Sequence, residues 1–274
     1  MTDILALREE LIKRYSARNA RIEEYYKLRD LDDPRAGSPL EHGVRNDPKT
    51  TLNLAIHFLS GGAERFELPI VTETPEERVF LNKAERALQG IARTNDNEMR
   101  RSGQSTSWLR HASDLLATTG GLFTLSLVLP DEGGYPSFVA ENWDTETCYP
   151  VYGERGMTRF IHDYKCLVEA AEQKAKDYGW QLDLPAGTKE CRITNYYEKV
   201  EGEVHCAVLV DDKIVQQLDD VGGTKGLFKE IPLRGSGIGY ANRSRSDNVV
   251  HQYEGFLEPI RQTAEDSNRF YSYI

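Results

Sequence analysis

The apolar positions of this chain change period along its length, and the changes divide it into elements. From Thr2 to about Asp30, Leu7, Leu11, Tyr15, Ile22 and Tyr25 recur at three, four and seven, the repeat of one helix about 40 Å long. Thr2 or Asp3 can cap it. Arg18 interrupts the stripe, so the helix is expected to pack partly on its own domain and partly on a neighbouring chain, or to lie as an ordinary surface helix. The run from Asp32 to Pro39 reads as a linker. Asn46-Asp47-Pro48 opens a second helix, ended by Gly61-Gly62, with Thr51, Leu54, Ala55, Phe58 and Leu59 as its apolar face. Phe66 to Val71 is a short extended piece with an edge proline.

A third helix starts at Thr74-Pro75-Glu76-Glu77 and carries Phe80, Leu81, Ala84, Leu88 and Ile91. Thr94 to Ser107 reads as a solvated loop that includes Arg100 and Arg101. Trp108 to Thr119 is a fourth helix, stopped by Gly120-Gly121, and the period then shortens to two. Strands are expected at Leu122–Leu129, Met157–Tyr164 and around Cys191–Glu198, with a charged helix from Val168 to Tyr178. Val200-Glu-Gly-Glu203 and Asp211-Asp212 read as hairpin turns, the second joining Ala207–Val210 to Ile214–Leu218. Gly235-Ser-Gly-Ile-Gly239 reads as a flexible connection. From Asp247 the helical period returns through Val249, Val250, Tyr253, Phe256, Leu257 and Ile260, bent or broken at Pro259, and it is still running at Ile274, as in a product that continues. The implied organisation is a helix over 1–31, a linker over 32–45, an α/β body over 46–246 and a further helix over 247–274.

The net charge of −10, from 34 basic and 44 acidic residues, opposes a general role in wrapping nucleic acid, though not a channel that conducts it without gripping. The four cysteines form no Cys-x-x-Cys pair and lie in or beside apolar runs, the setting of buried free thiols in a reducing compartment. The amino terminus lacks a signal-peptide pattern and no apolar run is long enough to cross a bilayer, so a soluble, intracellular product is expected.

Candidate chemistry is thin. The glycine cluster lacks the Gly-Lys-Ser/Thr of a phosphate loop and the third glycine of a dinucleotide fingerprint. The six histidines are dispersed, and paired carboxylates such as Asp211-Asp212 are explained by turns. No catalytic residue, metal ligand or cofactor site is assigned. Arg18, Arg100, Arg101, Arg243 and Arg245 remain as candidate subunit or partner contacts; the last two lie in a polar stretch that reads as a solvated loop or as a contact for phosphate or an acidic neighbour.

Several features occur in a telling order: Asn46-Asp-Pro with its helix, the Leu115-Leu-Ala-Thr-Thr-Gly-Gly-Leu-Phe junction, Trp143 to Gly156 with its Tyr149-Pro-Val-Tyr centre, the Thr194-Asn-Tyr-Tyr-Glu strand with its hairpin partners, and Ile231-Pro-Leu-Arg before a terminal helix. In this order the chain resembles the portal proteins of tailed double-stranded DNA bacteriophages. The resemblance implies an α+β wing domain of helices and mainly antiparallel strands leading into a stem helix, with clip, remaining stem and crown outside this sequence. It implies a non-enzymatic ring, usually of twelve subunits, at one vertex of the phage head, through which double-stranded DNA passes during packaging and ejection. Its expected partners are major capsid protein, scaffolding protein, terminase large subunit and a head-tail adaptor, with no membrane. Its expected location is the virion, after assembly in the host cytoplasm. The alternatives are another head-tail connector or minor head protein, and a nucleic-acid-acting enzyme working through Arg234 to Arg245.

Overall fold

The computed structural model describes residues 3–32, 46–61, 74–101, 106–130, 136–154, 156–185, 187–218, 230–237 and 253–261. They form an α+β fold of five α-helices and eight strands in two antiparallel sheets. The helices are α1 (Ile4–Asp30), α2 (Asp47–Ser60), α3 (Pro75–Arg101), α4 (Trp108–Thr119) and α5 (Val168–Tyr178). The strands are β1 (Gly121–Pro130), β2 (Pro136–Asp144), β3 (Cys148–Gly153), β4 (Gly156–Leu167), β5 (Glu190–Val200), β6 (Glu203–Val210), β7 (Lys213–Leu218) and β8 (Leu233–Gly237). One sheet has the order β2-β1-β8; the other is a meander, β3-β4-β5-β6-β7.

The meander is apolar on both faces, and the two-residue period sorts its side chains between two cores. Phe160, Cys191, Ile193, Tyr197, Val204, Cys206 and Val208 face the smaller sheet, meeting Phe123, Leu125, Trp143 and Leu233, with Ala171 of α5 in the same cluster. Tyr149, Ile161, Tyr196, Ala207 and Leu209 point the other way, against Ile4, Leu7, Leu11 and Tyr15 of α1. The first half of the long helix therefore covers one side of its own sheet. Further along, Tyr25 joins Leu52 and Ile56 of α2, Ala117 of α4 and Leu257 in a separate helical core.

Local signals explain where the elements begin and end. Asp3 accepts from the backbone nitrogens of Leu5 and Ala6 at 3.1 and 3.2 Å and caps α1. Thr74 Oγ1 accepts from Glu77 N at the start of α3, and Ser107 Oγ from Arg110 N at the start of α4. Asp47 is the first residue of α2 and not its cap; Asn46 precedes it without a side-chain cap bond. Both expected hairpin turns are present between β5, β6 and β7.

Four expectations are corrected. The span Thr94–Arg101 is helical, so α3 continues for eight residues into the stretch expected to be a loop, with Ala92 and Asn95 buried and Asp96 Oδ1 accepting from Trp108 N at 2.6 Å. Strand β2 was not anticipated and pairs with β1 along its whole length. Gly235 to Gly237, the described part of the stretch Gly235–Gly239 expected to be a flexible connection, complete the edge strand Leu233–Gly237 on β1. A Cβ at Gly235 would lie 2.9 Å from the Phe123 ring, which accounts for a glycine inside that strand. Residues 253–257 are a turn, with Tyr253 at φ 60°, and Glu258–Ile260 is a single 3-10 turn where a helix was expected. The extended piece at 66–71 and most of the 32–45 linker lie outside the described residues, as do 247–252 and 262–274 of the expected terminal helix.

The 253–261 segment is seated on the carboxyl end of α4. Phe256 N donates to Ala117 O at 3.0 Å, and α1 holds the segment through Arg21 to Tyr253 O, Tyr25 to Glu258 and Arg261 to Glu24. Gly120 caps α4 at φ 80°, and a Cβ there would stand 2.3 Å from the backbone of Glu254. Gly179 caps α5 at φ 70° with nothing within 4 Å of the same position. Gly179→Ala should cost about 1 kcal/mol, the left-handed penalty alone, and Gly120→Ala about 2 kcal/mol because Tyr253 and Glu254 must also shift. Urea denaturation of the two variants measures the difference, and hydrogen exchange at 253–261 should accelerate in Gly120→Ala only.

Candidate interaction surfaces

The arginines proposed as contacts meet different fates. Arg18 sits in the middle of α1 and is 0% exposed. Its Nε and Nη2 donate to Asn19 Oδ1 at 3.0 and 2.8 Å, and Nη2 also donates to the Cys148 carbonyl at 2.9 Å. The guanidinium lies 4.3 Å from the Tyr15 ring centroid and 5.7 Å from that of Tyr149. Among the described residues no carboxylate is paired with it, and burial lowers its pKa from the ordinary arginine value. Arg18 is thus a tie between α1 and the start of β3, with no surface to offer another subunit. Arg100 and Arg101 end α3; their side chains are not among the described ones. Arg243 and Arg245 lie outside the described residues.

A second buried arginine joins the same helix to the sheet. Arg8 Nη1 donates to Asp212 Oδ1 at 2.6 Å and to Thr194 Oγ1 at 3.3 Å. Thr194 donates to Asp163 Oδ1 at 2.7 Å, and Asp163 is paired with Arg192 at 2.8 Å. Arg8 and Arg18 therefore occupy positions of the buried stripe that a hydrophobic reading leaves blank. The signal in the sequence is spacing: Arg8 and Arg18 fall in register with Leu11, Tyr15 and Ile22, so the stripe is continuous once arginine stems count as part of it.

On the other face of the meander, His162 is stacked between Trp143, 4.0 Å away, and Tyr164, 4.6 Å away. Burial, with Lys174 nearby, pushes its pKa down to about 3, so it is a neutral packing residue at neutral pH. Lys174 donates to the Tyr164 hydroxyl at 2.8 Å. Among the described residues no group of three His, Cys, Asp or Glu side chains is placed to hold a metal, and no helix is long and apolar enough to cross a membrane.

The surface that stands out is helical and apolar. On α2, Leu52 and Ile56 are buried, whereas Leu54, Phe58 and Leu59 are 54%, 74% and 42% exposed. The expected apolar face includes Leu54, Phe58 and Leu59; the chain instead buries Pro48, Leu52 and Ile56, and Leu52 and Ile56, with Ala55, pack with Tyr25 of α1 and Ala117 of α4. At the start of α3, Val79 and Phe80 are also exposed, Phe80 having been assigned to the packed face. Apolar residues on both sides of a helix leave one side over among the described residues, which makes that side the candidate interaction surface. That signal was present in the sequence, since α2 has apolar residues at 52, 54, 55, 56, 58 and 59 and hardly a polar face. Compared with known proteins, the chain matches no family model and no curated protein.

Proposed function

We propose that this chain is a subunit of a closed homo-oligomeric ring, the portal at the unique vertex of a tailed bacteriophage head, through which double-stranded DNA enters and leaves. The observation that carries the reading is the collinear order of features over most of Asn46 to Ile274: the Asn46-Asp-Pro helix, the helix-to-strand junction at paired glycines, Trp143 to Gly156 with its Tyr149-Pro-Val-Tyr centre, the Thr194-Asn-Tyr-Tyr-Glu strand with its hairpin partners, and Ile231-Pro-Leu-Arg; the helix expected at its end is replaced at Glu258–Ile260 by a 3-10 turn. The α+β body accords with it. So does the exposed apolar side of α2, because a subunit that works only beside copies of itself must keep such a side uncovered until assembly. The acidic balance suits a lumen that repels phosphate and lets DNA slide. In this reading the ring has no catalysis of its own. Terminase, capsid protein, scaffold and adaptor dock on it, and the subunit number is that of the family, usually twelve.

Light scattering on the product of the whole gene at several concentrations, with negative-stain images, tests the proposal. Rings with a central hole are expected; a monomer at every concentration overturns it, and rings formed only with an added head protein would favour a minor connector instead. Phe58→Glu should raise the concentration for half-assembly by about 10- to 100-fold, the range for an apolar anchor in an interface, while leaving the circular dichroism of the subunit unchanged.

A further inference from the structure

All four cysteines lie on one face of the meander, and two of them are directly opposed: Cys166 of β4 pairs with Cys191 of β5. Their sulfurs are 3.8 Å apart, against about 2.05 Å in a disulfide. We propose that Cys166 and Cys191 are an oxidisable dithiol, which a small-molecule disulfide of the glutathione class converts to a bridge stapling β4 to β5.

Backbone geometry permits the bridge and makes it reversible. Two residues along, Val168 N donates to Lys189 O at 3.1 Å, so the unbroken register puts Cys166 and Cys191 at a hydrogen-bonded pair. The Cα atoms of such a pair are about 5.5 Å apart, inside the range that a disulfide spans. At that kind of pair the side chains stand nearly parallel, and closing the remaining gap draws the strands together locally. A bridge formed under that constraint is opened readily by thiols.

Access sets the order of events. Cys166 is half-buried near the end of β4, beside the exposed Leu167, whereas Cys191 is 3% exposed. The Cys166 thiolate attacks one sulfur of oxidised glutathione, forming a mixed disulfide and expelling one glutathione thiolate, which takes up a proton. Cys191 then gives up its proton and attacks the Cys166 sulfur. The protein bridge forms, and the second glutathione leaves as thiol. Two protein thiols are oxidised and one glutathione disulfide is reduced to two thiols, so the electrons and protons balance. Burial and the adjacent Cys166 thiol push the Cys191 pKa up to about 12, which slows its attack in bulk terms. Its position against the target sulfur offsets this, because the second step is intramolecular. Cys148 and Cys206 are buried on the same face, and each lies opposite a residue other than cysteine: Cys148 opposite His162, and Cys206 opposite Tyr197 and Leu218.

The test is to incubate the reduced full chain with oxidised glutathione, without denaturant, then alkylate in urea and map the peptides without reduction. The expected result is a Cys166–Cys191 linked peptide, alkylation confined to Cys148 and Cys206, and recovery of all four thiols with dithiothreitol. Cys191→Ser should stop at a glutathione adduct on Cys166, and Cys166→Ser should leave Cys191 unmodified. The pair should disappear from the free-thiol count at least about tenfold faster than Cys148 or Cys206. A stable adduct on Cys166 of the unchanged chain, a bridge that forms only in urea, an unmodified Cys166, or linkage through Cys148 or Cys206 would each overturn the proposal.

Discussion

Replacing Phe160 by alanine should lower the unfolding free energy by about 4 kcal/mol, in the upper part of the range for a buried aromatic. Phe160 is 0% exposed, its ring centroid 5.1 Å from that of Phe123 and 6.1 Å from that of Trp143. It therefore belongs to the larger sheet and packs on both paired strands of the smaller one. The cavity left behind has strands on either side, and paired strands cannot collapse into it without breaking their ladders, so little of the loss is recovered. A domain of ordinary stability has about 5–15 kcal/mol in hand, so this one substitution removes much of it. The midpoint of thermal unfolding should fall by about 8–16 °C, read by circular dichroism. A decrease below about 1 kcal/mol would mean that the two sheets are not held together by this ring.

What was legible in the sequence was what short-range physics specifies. The strands β4 to β7 and the turns between them follow from alternation and from Gly202 and Asp211-Asp212, and α5 ends at Gly179, which adopts the left-handed conformation expected of a helix-stopping glycine. Elements decided by long-range contact were not legible. Strand β8 is glycine-rich because Phe123, Tyr152 and Tyr253 crowd Gly235, a contact that no local pattern encodes. Residues 253–260 keep apolar positions at helical spacing, yet they turn because Gly120 and Gly255 let the chain approach the end of α4, where a Cβ on Gly255 would meet Thr118 O at 2.2 Å.

The faces of the helices failed for a related reason. Periodicity says that α2 has apolar surface, but packing against α1 and α4 selects Leu52 and Ile56 and leaves Phe58 outside. Of the candidate contacts, Arg18 is buried within its own chain, although a lone charge interrupts the apolar stripe there. Tyr15, Tyr149 and the Cys148 carbonyl give its guanidinium a buried seat. The candidate interaction surface among the described residues is thus apolar and helical.

The chain should lose stability on acidification through one side chain in particular. His162 has a folded-state pKa of about 3, well below the ordinary histidine value near 6.5, because burial between Trp143 and Tyr164 disfavours the charged ring and Lys174 adds repulsion. Between these two values the unfolded chain binds a proton that the folded chain does not. Stability from this group is therefore fully present above about pH 6.5 and falls as the pH drops toward 3, by about 1.4 kcal/mol per unit. Between pH 6.5 and pH 4 the loss should reach about 3 kcal/mol. Ordinary carboxylates titrate in the lower part of this window, so the measurement is a difference between two chains. His162→Phe keeps a ring between Trp143 and Tyr164 and gives up the 3.4 Å contact of Nδ1 with Asn195, a fixed cost with no pH slope. Urea denaturation of both chains from pH 7 to pH 4 should show the variant starting less stable and the gap closing, then reversing, as the pH falls. Parallel curves would mean that the imidazole takes up its proton inside the fold, and the stack would then be open to water.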